Sequence, residues 1–592
     1  MTESLSAFKQ IRFGSVLSGW IFALLVFLGY FLMIIRKDRC TGEQQKRRGL
    51  SLFDWFLLIY IALMIALVGF VAWISPPNNW DSMTYHMSRV MHWIQNQSVA
   101  HYPTHILRQL HMTPWSEYAI LHFQVLSGSD HLANLVQWFS LVGATLGVSL
   151  IAQQLGAEVR GQLFAAAFTV SLPMAILQGS STQNDLVVSY WLVCFVYFGM
   201  LLRASQSFVN LFAVGVSLGL ALLTKATAYL YALPFMSLLG VSLLKTNLRK
   251  GIQQIALISI IAIGVNTAHY WRNYDLYSNP LGPGQEGESY RYRNDVYSLA
   301  SLASNVTRNV GLHLGTPYRR LNLLIEKAIK NFHELLNLEL NDARTTWAGT
   351  EFRILETSRH EDYAGNPLHL ALIGITLFLP KLFKRNGRVA YLGCLISAFL
   401  LFSLWLRWQP WHSRLHLPLF VLWAPLVGFG LLHLKPRVIA YGALILVLLA
   451  GLPYALANET RPLLGNTSIL ISDRIELYFR SSPKIFAPYL NCSSLIQQID
   501  CEKVGLILGE DDWEYPFWIL LDRPGKEMPR IEHVNVTNLS RVKYSTLSHE
   551  SYRPCVVIFV GRVLPDKLSL YQSQYVLKET FAQVGIYITG SK

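Results

Sequence analysis

The feature that most constrains this chain is a series of about twelve apolar runs, most of them long enough to cross a bilayer as helices. They fall at roughly 14–35, 52–75, 131–151, 163–179, 186–202, 208–224, 226–244, 253–270, 367–381, 389–406, 415–433 and 438–456. A chain that is 52% hydrophobic and 15% charged does not fold as a soluble domain of 592 residues. The expectation is an α-helical polytopic membrane protein. The first run is too long for a signal peptide and lacks a small-residue cleavage site, so it counts as a span.

The net charge of +14 does not point to nucleic acid, because the basic residues gather in short connections between runs. Arg36, Lys37, Arg39, Lys46, Arg47 and Arg48 follow the first run. Lys245, Arg249 and Lys250 follow the seventh; Lys381, Lys384, Arg385 and Arg388 the ninth; Lys435 and Arg437 the eleventh. The positive-inside rule assigns these to the cytoplasm. Both termini, the loops holding Asp81, Asp185 and Arg272, and the tail after 457 then lie outside. That predicts a multi-pass protein of the inner (plasma) membrane with an extracytoplasmic functional face.

Two units follow: residues 1–457, with long outer loops at 76–130 and 271–366, and an extracytoplasmic α/β domain at 458–592. The loops carry probable-helix patterns over Trp115–Leu126 and Leu321–Leu338. In the tail, Val504–Gly509 and Cys555–Gly561 read as buried strands and Asp512–Leu521 as a helix. Cys194 and Cys394 lie in spans, whereas Cys492 and Cys501 can pair if the tail is outside. No Walker loop, G-x-G-x-x-G or Cys/His zinc spacing is present.

Between Trp80 and Asn96 the pattern predicts a helix starting at Asp81, whose carboxylate suits an N-terminus. At about 100° per residue, Asp81, Tyr85, Ser88 and His92 share one face and Met83, Met87, Val90 and Ile94 the other. Such a helix is expected to lie along the membrane surface. Tyr85, Arg89 and His92 are then candidates to bind acceptor or sugar.

Charged residues also mark the outer ends of other runs: Asp185 after Ser181-Thr182-Gln183-Asn184, Lys225 ending Gly219-Leu220-Ala221-Leu222-Leu223-Thr224-Lys225, and Arg272 in Trp271-Arg272-Asn273-Tyr274 with Asn279-Pro280. Arg414 opens Arg414-Leu415-His416-Leu417-Pro418. Taken singly, Lys225 could snorkel, Arg272 and Arg414 could anchor the interface beside tryptophans, and Asp185 could cap its helix. Glu361-Asp362-Tyr363 after His360 could bind a metal or an acceptor, but reads rather as a solvated turn.

Taken together over about residues 52–456, these segments resemble the GT-C superfamily of membrane glycosyltransferases. The branch is that of protein O-mannosyltransferases and the aminoarabinose transferase that modifies lipid A. Ser82 stands where members commonly carry a second acidic residue. The resemblance implies transfer of a sugar from a polyprenyl-phosphate donor to a glycan, lipid or protein acceptor, with inversion. It makes Asp81 the general base and Asp185 the second acidic site. Lys225, Arg272 and Arg414 become phosphate ligands, since a leaving phosphate needs fixed cations. Two acidic sites on one side could share a divalent cation; no other cofactor is implied. The alternatives are a transporter or flippase, a ligase or polymerase using a pyrophosphate-linked donor, and a non-catalytic glycan receptor.

Overall fold

In the computed structural model, residues 1–39, 49–284, 292–544, 552–570 and 572–590 are described; Lys46, Arg47 and Arg48 lie outside them. Among the described residues eight helices are long and apolar enough to cross a membrane: Phe13–Met33, Leu52–Ile74, Leu135–Gln154, Asp185–Ser205, Thr227–Thr246, Leu248–Tyr277, Asn386–Trp405 and Arg437–Leu456. Phe208–Thr224, Pro367–Leu377 and Leu417–His433 are shorter apolar helices. The run expected at 163–179 is split into Val159–Ser171 and Pro173–Gln178. Pro173 lacks the N–H that would continue the first piece. The chain is an integral membrane protein, and most of its exposed large side chains are the apolar ones of these helices.

Leu417–His433 runs through the middle and is buried along nearly its whole length. Small residues let it approach Val159–Ser171: a Cβ on Gly428 would stand 2.4 Å from the Gly161 carbonyl oxygen. Without a hydrophobic drive between helices in lipid, such backbone contact is what holds them.

The tail folds into a six-stranded sheet in the order β2-β1-β3-β6-β5-β4. Its strands are β1 (Lys503–Ile507), β2 (Arg530–His533), β3 (Val556–Val560), β4 (Lys567–Leu570), β5 (Ser573–Phe581) and β6 (Val584–Thr589). β1, β2 and β3 pair in parallel and the rest antiparallel. Helix Phe486–Ile499 packs on β5 and β6, and Tyr515–Leu521 packs on that helix and on the Ser82–Asn96 segment. The sequence reading found β1 and β3, whose burial is nearly continuous. It missed β2, β4, β5 and β6: β2 is only four residues long, and apolar residues are sparse in β4 and β5. It also left open a Cys492–Cys501 pairing. Instead Cys501 bonds Cys555 with their Cα atoms 5.9 Å apart, because each immediately precedes one of two adjacent parallel strands. Cys492 is a free, buried thiol.

The surface-helix expectation is corrected. Residues Ser82–His86 wind as a π turn and continue as an α-helix over Met87–Asn96. Everything from Ser82 to Val90 is buried, on both of the faces expected to differ. The tail domain covers the side expected to meet water: Glu514 N donates to Met83 O at 3.0 Å, and Ile531 N to Gln95 Oε1 at 2.9 Å.

Candidate active site

Asp81 stands at the start of the π turn but does not cap it. Asn79 does, accepting from Ser82 N at 2.8 Å through Oδ1. π turns recur at functional sites, and here the turn leaves the Asp81 carboxylate facing the ends of the helix bundle. Ser82 Oγ lies 2.5 Å from Thr182 Oγ1, tying this turn to the segment before Asp185.

Asp185 opens its helix with Gln137 beneath it. Gln137 Oε1 accepts from Leu186 N at 2.7 Å and Val187 N at 3.2 Å. With those N–H groups taken, the Asp185 side chain turns to Lys225, whose Nζ donates to Oδ1 at 2.6 Å. Lys225 sits where Phe208–Thr224 gives way to Thr227–Thr246.

Arg414, in the short His412–Leu415 turn before Leu417–His433, joins the pieces. Its Nη2 donates to Asp81 Oδ2 at 2.6 Å and its Nη1 to Asp362 Oδ1 at 2.8 Å. Its Nε stands 4.0 Å from Asp185 Oδ2, and neither of those two atoms has a hydrogen-bond partner among the described residues. Three carboxylates therefore surround one guanidinium. Arg108 adds a second cation, 3.9 Å from Asp81 and over the Tyr85 ring at 5.2 Å; it also pairs with Asp511 of the tail domain. Asp81, Arg414, Asp362 and Lys225 keep 13–19% of their side-chain surface exposed, so the cluster opens to the outside rather than filling the core.

Burial alone would raise the Asp81 carboxyl; Arg414, His86 and Arg108 outweigh it and hold it below the usual carboxylate range. Asp362 goes the other way. Burial pushes it up, Arg414 opposes, and Glu361 and Asp81 push it further up. Two carboxylates on one guanidinium are thus driven apart, as in sites where one acts as base and another stays partly protonated. Behind them Arg461, fully buried, pairs with Glu361 and donates to Asn78 Oδ1 at 2.6 Å. The Glu361-Asp362-Tyr363 segment is thus corrected from a solvated turn to a buried brace and a cluster member.

Of the expected site residues, Asp81, Asp185, Lys225 and Arg414 come together, with Tyr85 at the edge under Arg108. Arg272 does not join them. It lies within Leu248–Tyr277, which runs a turn beyond the expected span. There it donates to Glu3 Oε2 at 2.6 Å and to Tyr118 OH at 2.7 Å. Arg89 is fully buried, donating to Gln109 O at 2.7 Å, Met112 O at 2.9 Å and Glu117 Oε1 at 3.1 Å. His92, expected on an exposed face, is buried against Glu514 at 2.8 Å. Arg108, at the start of the four-residue helix Arg108–His111, was missed, and Asp362 reads as part of a solvated turn, since neither stands in a periodic segment.

Glu514 collects two donors on each oxygen: His92 Nε2 at 2.8 Å and Trp518 Nε1 at 2.9 Å on Oε1, Gln109 Nε2 at 2.5 Å and His533 Nε2 at 3.1 Å on Oε2. The ligand atoms of His92, Glu514 and His533 lie within 4.8 Å of one another, a donor set that could hold a metal ion. Every one of those atoms is already hydrogen-bonded. Asp81, Asp185 and Asp362 are a poorer set, since Arg414 and Lys225 occupy them.

No family model and no curated protein matches the chain. Among solved structures the fold is shared with ArnT from Cupriavidus metallidurans in the apo state. The TM-score is 0.50 and the identity 12%, over 91% of this chain and 98% of that one. ArnT bound to undecaprenyl phosphate aligns at TM-score 0.49 and 11% identity, over 91% and 98%. The archaeal oligosaccharyltransferase AglB from Archaeoglobus fulgidus, in complex with an inhibitory peptide and a dolichol-phosphate, aligns at TM-score 0.46 and 12% identity, over 86% and 70%. At 12% identity the likeness to ArnT is one of fold alone.

Proposed function

We propose that this protein is a GT-C glycosyltransferase that moves a sugar from a polyprenyl-phosphate donor to an acceptor hydroxyl on the extracytoplasmic face. The observation that carries the reading is the Arg414 cluster: carboxylates and cations gathered at one end of the helix bundle, partly open, with unpaired polar atoms inside. Asp81 accepts the proton of the attacking hydroxyl, the new bond forms at C1 as the C1–O bond to phosphate breaks, and the anomeric configuration inverts. The departing polyprenyl phosphate gains a charge, which Lys225 and Arg414 stabilise.

In this reading Arg414 also controls the base. Paired with Asp81 it lowers that carboxylate's basicity; a donor phosphate competes for the guanidinium and releases it. Asp185 holds Lys225 in place, and Tyr85 and Arg108 line the acceptor side. Residues 1–457 hold the lipid donor and 458–592 close over the loop after Asp81. The Cys501–Cys555 bond suits an oxidising compartment and supports the outward orientation. The test is transfer by the purified protein in liposomes, from a radiolabelled polyprenyl-phosphate sugar to glycan, lipid or peptide acceptors. The reading requires transfer that Asp81→Asn abolishes while donor lipid still binds. Solute uptake without transfer would overturn it.

A further inference from the structure

The expected membrane-surface helix is buried, but another helix has that character. Arg319–Leu335 buries Asn322, Ile329 and His333 against its neighbours; His333 Nε2 lies 2.9 Å from Ser304 Oγ of the helix Leu299–Gly311. Turned away from that contact are Leu321, Leu324, Ala328, Phe332 and Leu335, within an arc of about 80° at 100° per residue. Nothing among the described residues covers them: Leu324 is 64% exposed and Leu335 80%. Arg320 and Lys327 border the stripe, exposed and without an ion pair among the described residues.

The helix is tethered at a definite level. Asn305 of Leu299–Gly311 donates to Ser403 O at 2.8 Å, and Asn294 to Leu404 O at 2.7 Å, both at the end of the span Asn386–Trp405. That end leads directly into the loop carrying Arg414. Tyr297 and Trp405, both exposed, pack there with ring centroids 5.6 Å apart, and exposed Tyr318 stands at the start of the helix. Tyr and Trp at a span end mark the boundary between acyl chains and headgroups.

We propose that Arg319–Leu335 lies in the bilayer interface at the end of the bundle that bears the Asp81–Arg414 cluster. Leu321, Leu324, Phe332 and Leu335 enter the acyl-chain boundary, and Arg320 and Lys327 meet anionic lipid headgroups. The cations favour this occupant over a second protein. Headgroup phosphates neutralise them without a matching acidic patch, and the spans already hold the chain in the bilayer, so docking loses little translational freedom. The opposite face of the helix then sets a charged cleft of about 690 Å³, lined by Arg319, Glu326, Lys330, Glu351, Arg353 and Glu356, at headgroup depth. The inference rests on the spans and the exposed stripe, not on glycosyl transfer.

The test uses the full chain, one copy per nanodisc, with an environment-sensitive fluorophore on Leu324→Cys, Leu335→Cys or, as a polar-side control, Glu334→Cys. In nanodiscs containing phosphatidylglycerol, iodide should quench the labels at 324 and 335 several-fold less than the label at 334. Arg320→Gln with Lys327→Gln should reduce that protection in anionic but not in phosphatidylcholine discs. Equal quenching at all three positions would overturn the proposal. So would protection that appears only with two copies per disc, which would make the stripe an interface between copies of the chain.

Discussion

The two carboxylate clusters are built from similar groups and end in opposite states. Around Glu514 both carboxylate oxygens are matched, two donors to each, and His92, Glu514 and His533 are buried. Around Arg414 the counts do not match: Asp185 Oδ2 and Arg414 Nε have no hydrogen-bond partner among the described residues, and the cluster is partly open. A buried network that is fully satisfied specifies architecture. One left incomplete beside an opening is what a reacting group needs. The difference separates a staple from a site, although both lie within reach of the same Asp81 helix.

The largest expected effect tests the site. Asp81→Asn keeps shape and Asn79's cap but removes the base, so turnover should fall about 10²–10⁴-fold with an unchanged melting temperature. Asp81→Glu should recover little, because it displaces the carboxylate in a site that depends on near-attack geometry. Full turnover in the Asn variant would erase the distinction between the two clusters.

Glu514→Gln should behave in the opposite way. It leaves one acceptor oxygen for four donors and removes the charge, so thermal or chaotrope unfolding should report a loss of about 1.5–3 kcal/mol. Activity should fall only with the folded fraction. A stable Glu514→Gln protein with no turnover would mean that the staple takes part in the chemistry.

Arg414→Gln and Arg272→Gln sharpen the contrast within one residue type. Losing Arg414 should weaken donor lipid about ten- to a hundredfold and move the acid limb of activity to higher pH, since Arg414 is the chief cation holding the Asp81 carboxyl down. Arg272, engaged with Glu3 and Tyr118, should leave donor affinity unchanged in a lipid-binding titration.

The smallest effect is a pH dependence of the staple. Burial lowers the His92 imidazole, against Glu514, and lowers His105 to about 3, helped by His533. Both imidazoles are held below their unfolded-state value, so below about pH 6.5 the unfolded chain takes up protons more readily than the folded chain, and stability falls with falling pH. His105 alone should account for about 1 kcal/mol by about pH 5.5. Glu514, held below its ordinary range by the two imidazoles, acts in the same sense at lower pH. Melting curves from pH 7 downward check the sign.

How much of this was legible in the sequence depends on what frames each residue. Apolar runs located the helices because lipid-facing and core-facing positions are both apolar. Asp81, Asp185, Lys225 and Arg414 stood out as charges at the edges of those runs. Arg272 had the same frame yet turns aside, because its partner Glu3 lies at the far end of the chain. The amphipathic pattern of Met87–Asn96 was real, but a pattern does not say what covers it: the tail domain does. His92 therefore read as exposed, and Arg319–Leu335 carries the stripe that remains uncovered.

The Cys501–Cys555 bond closes a ring of chain, with 54 residues separating its ends. Among the described residues, the hydrogen bonds between the tail domain and the segment from Met83 to Gln109 involve residues inside that ring: Glu510, Asp511, Glu514, Arg530, Ile531, His533, Asn538 and Ser540 all lie within it. The surface that clamps the Asp81 helix is thus a covalent loop, independent of the β4–β6 half of the sheet for its connectivity. Closing a loop of that length limits the unlinked alternatives by about 4 kcal/mol at 25 °C in the chain-entropy picture. Oxidation of one pair of thiols therefore acts at a distance, as an assembly step for the Asp81 helix, which contains no cysteine.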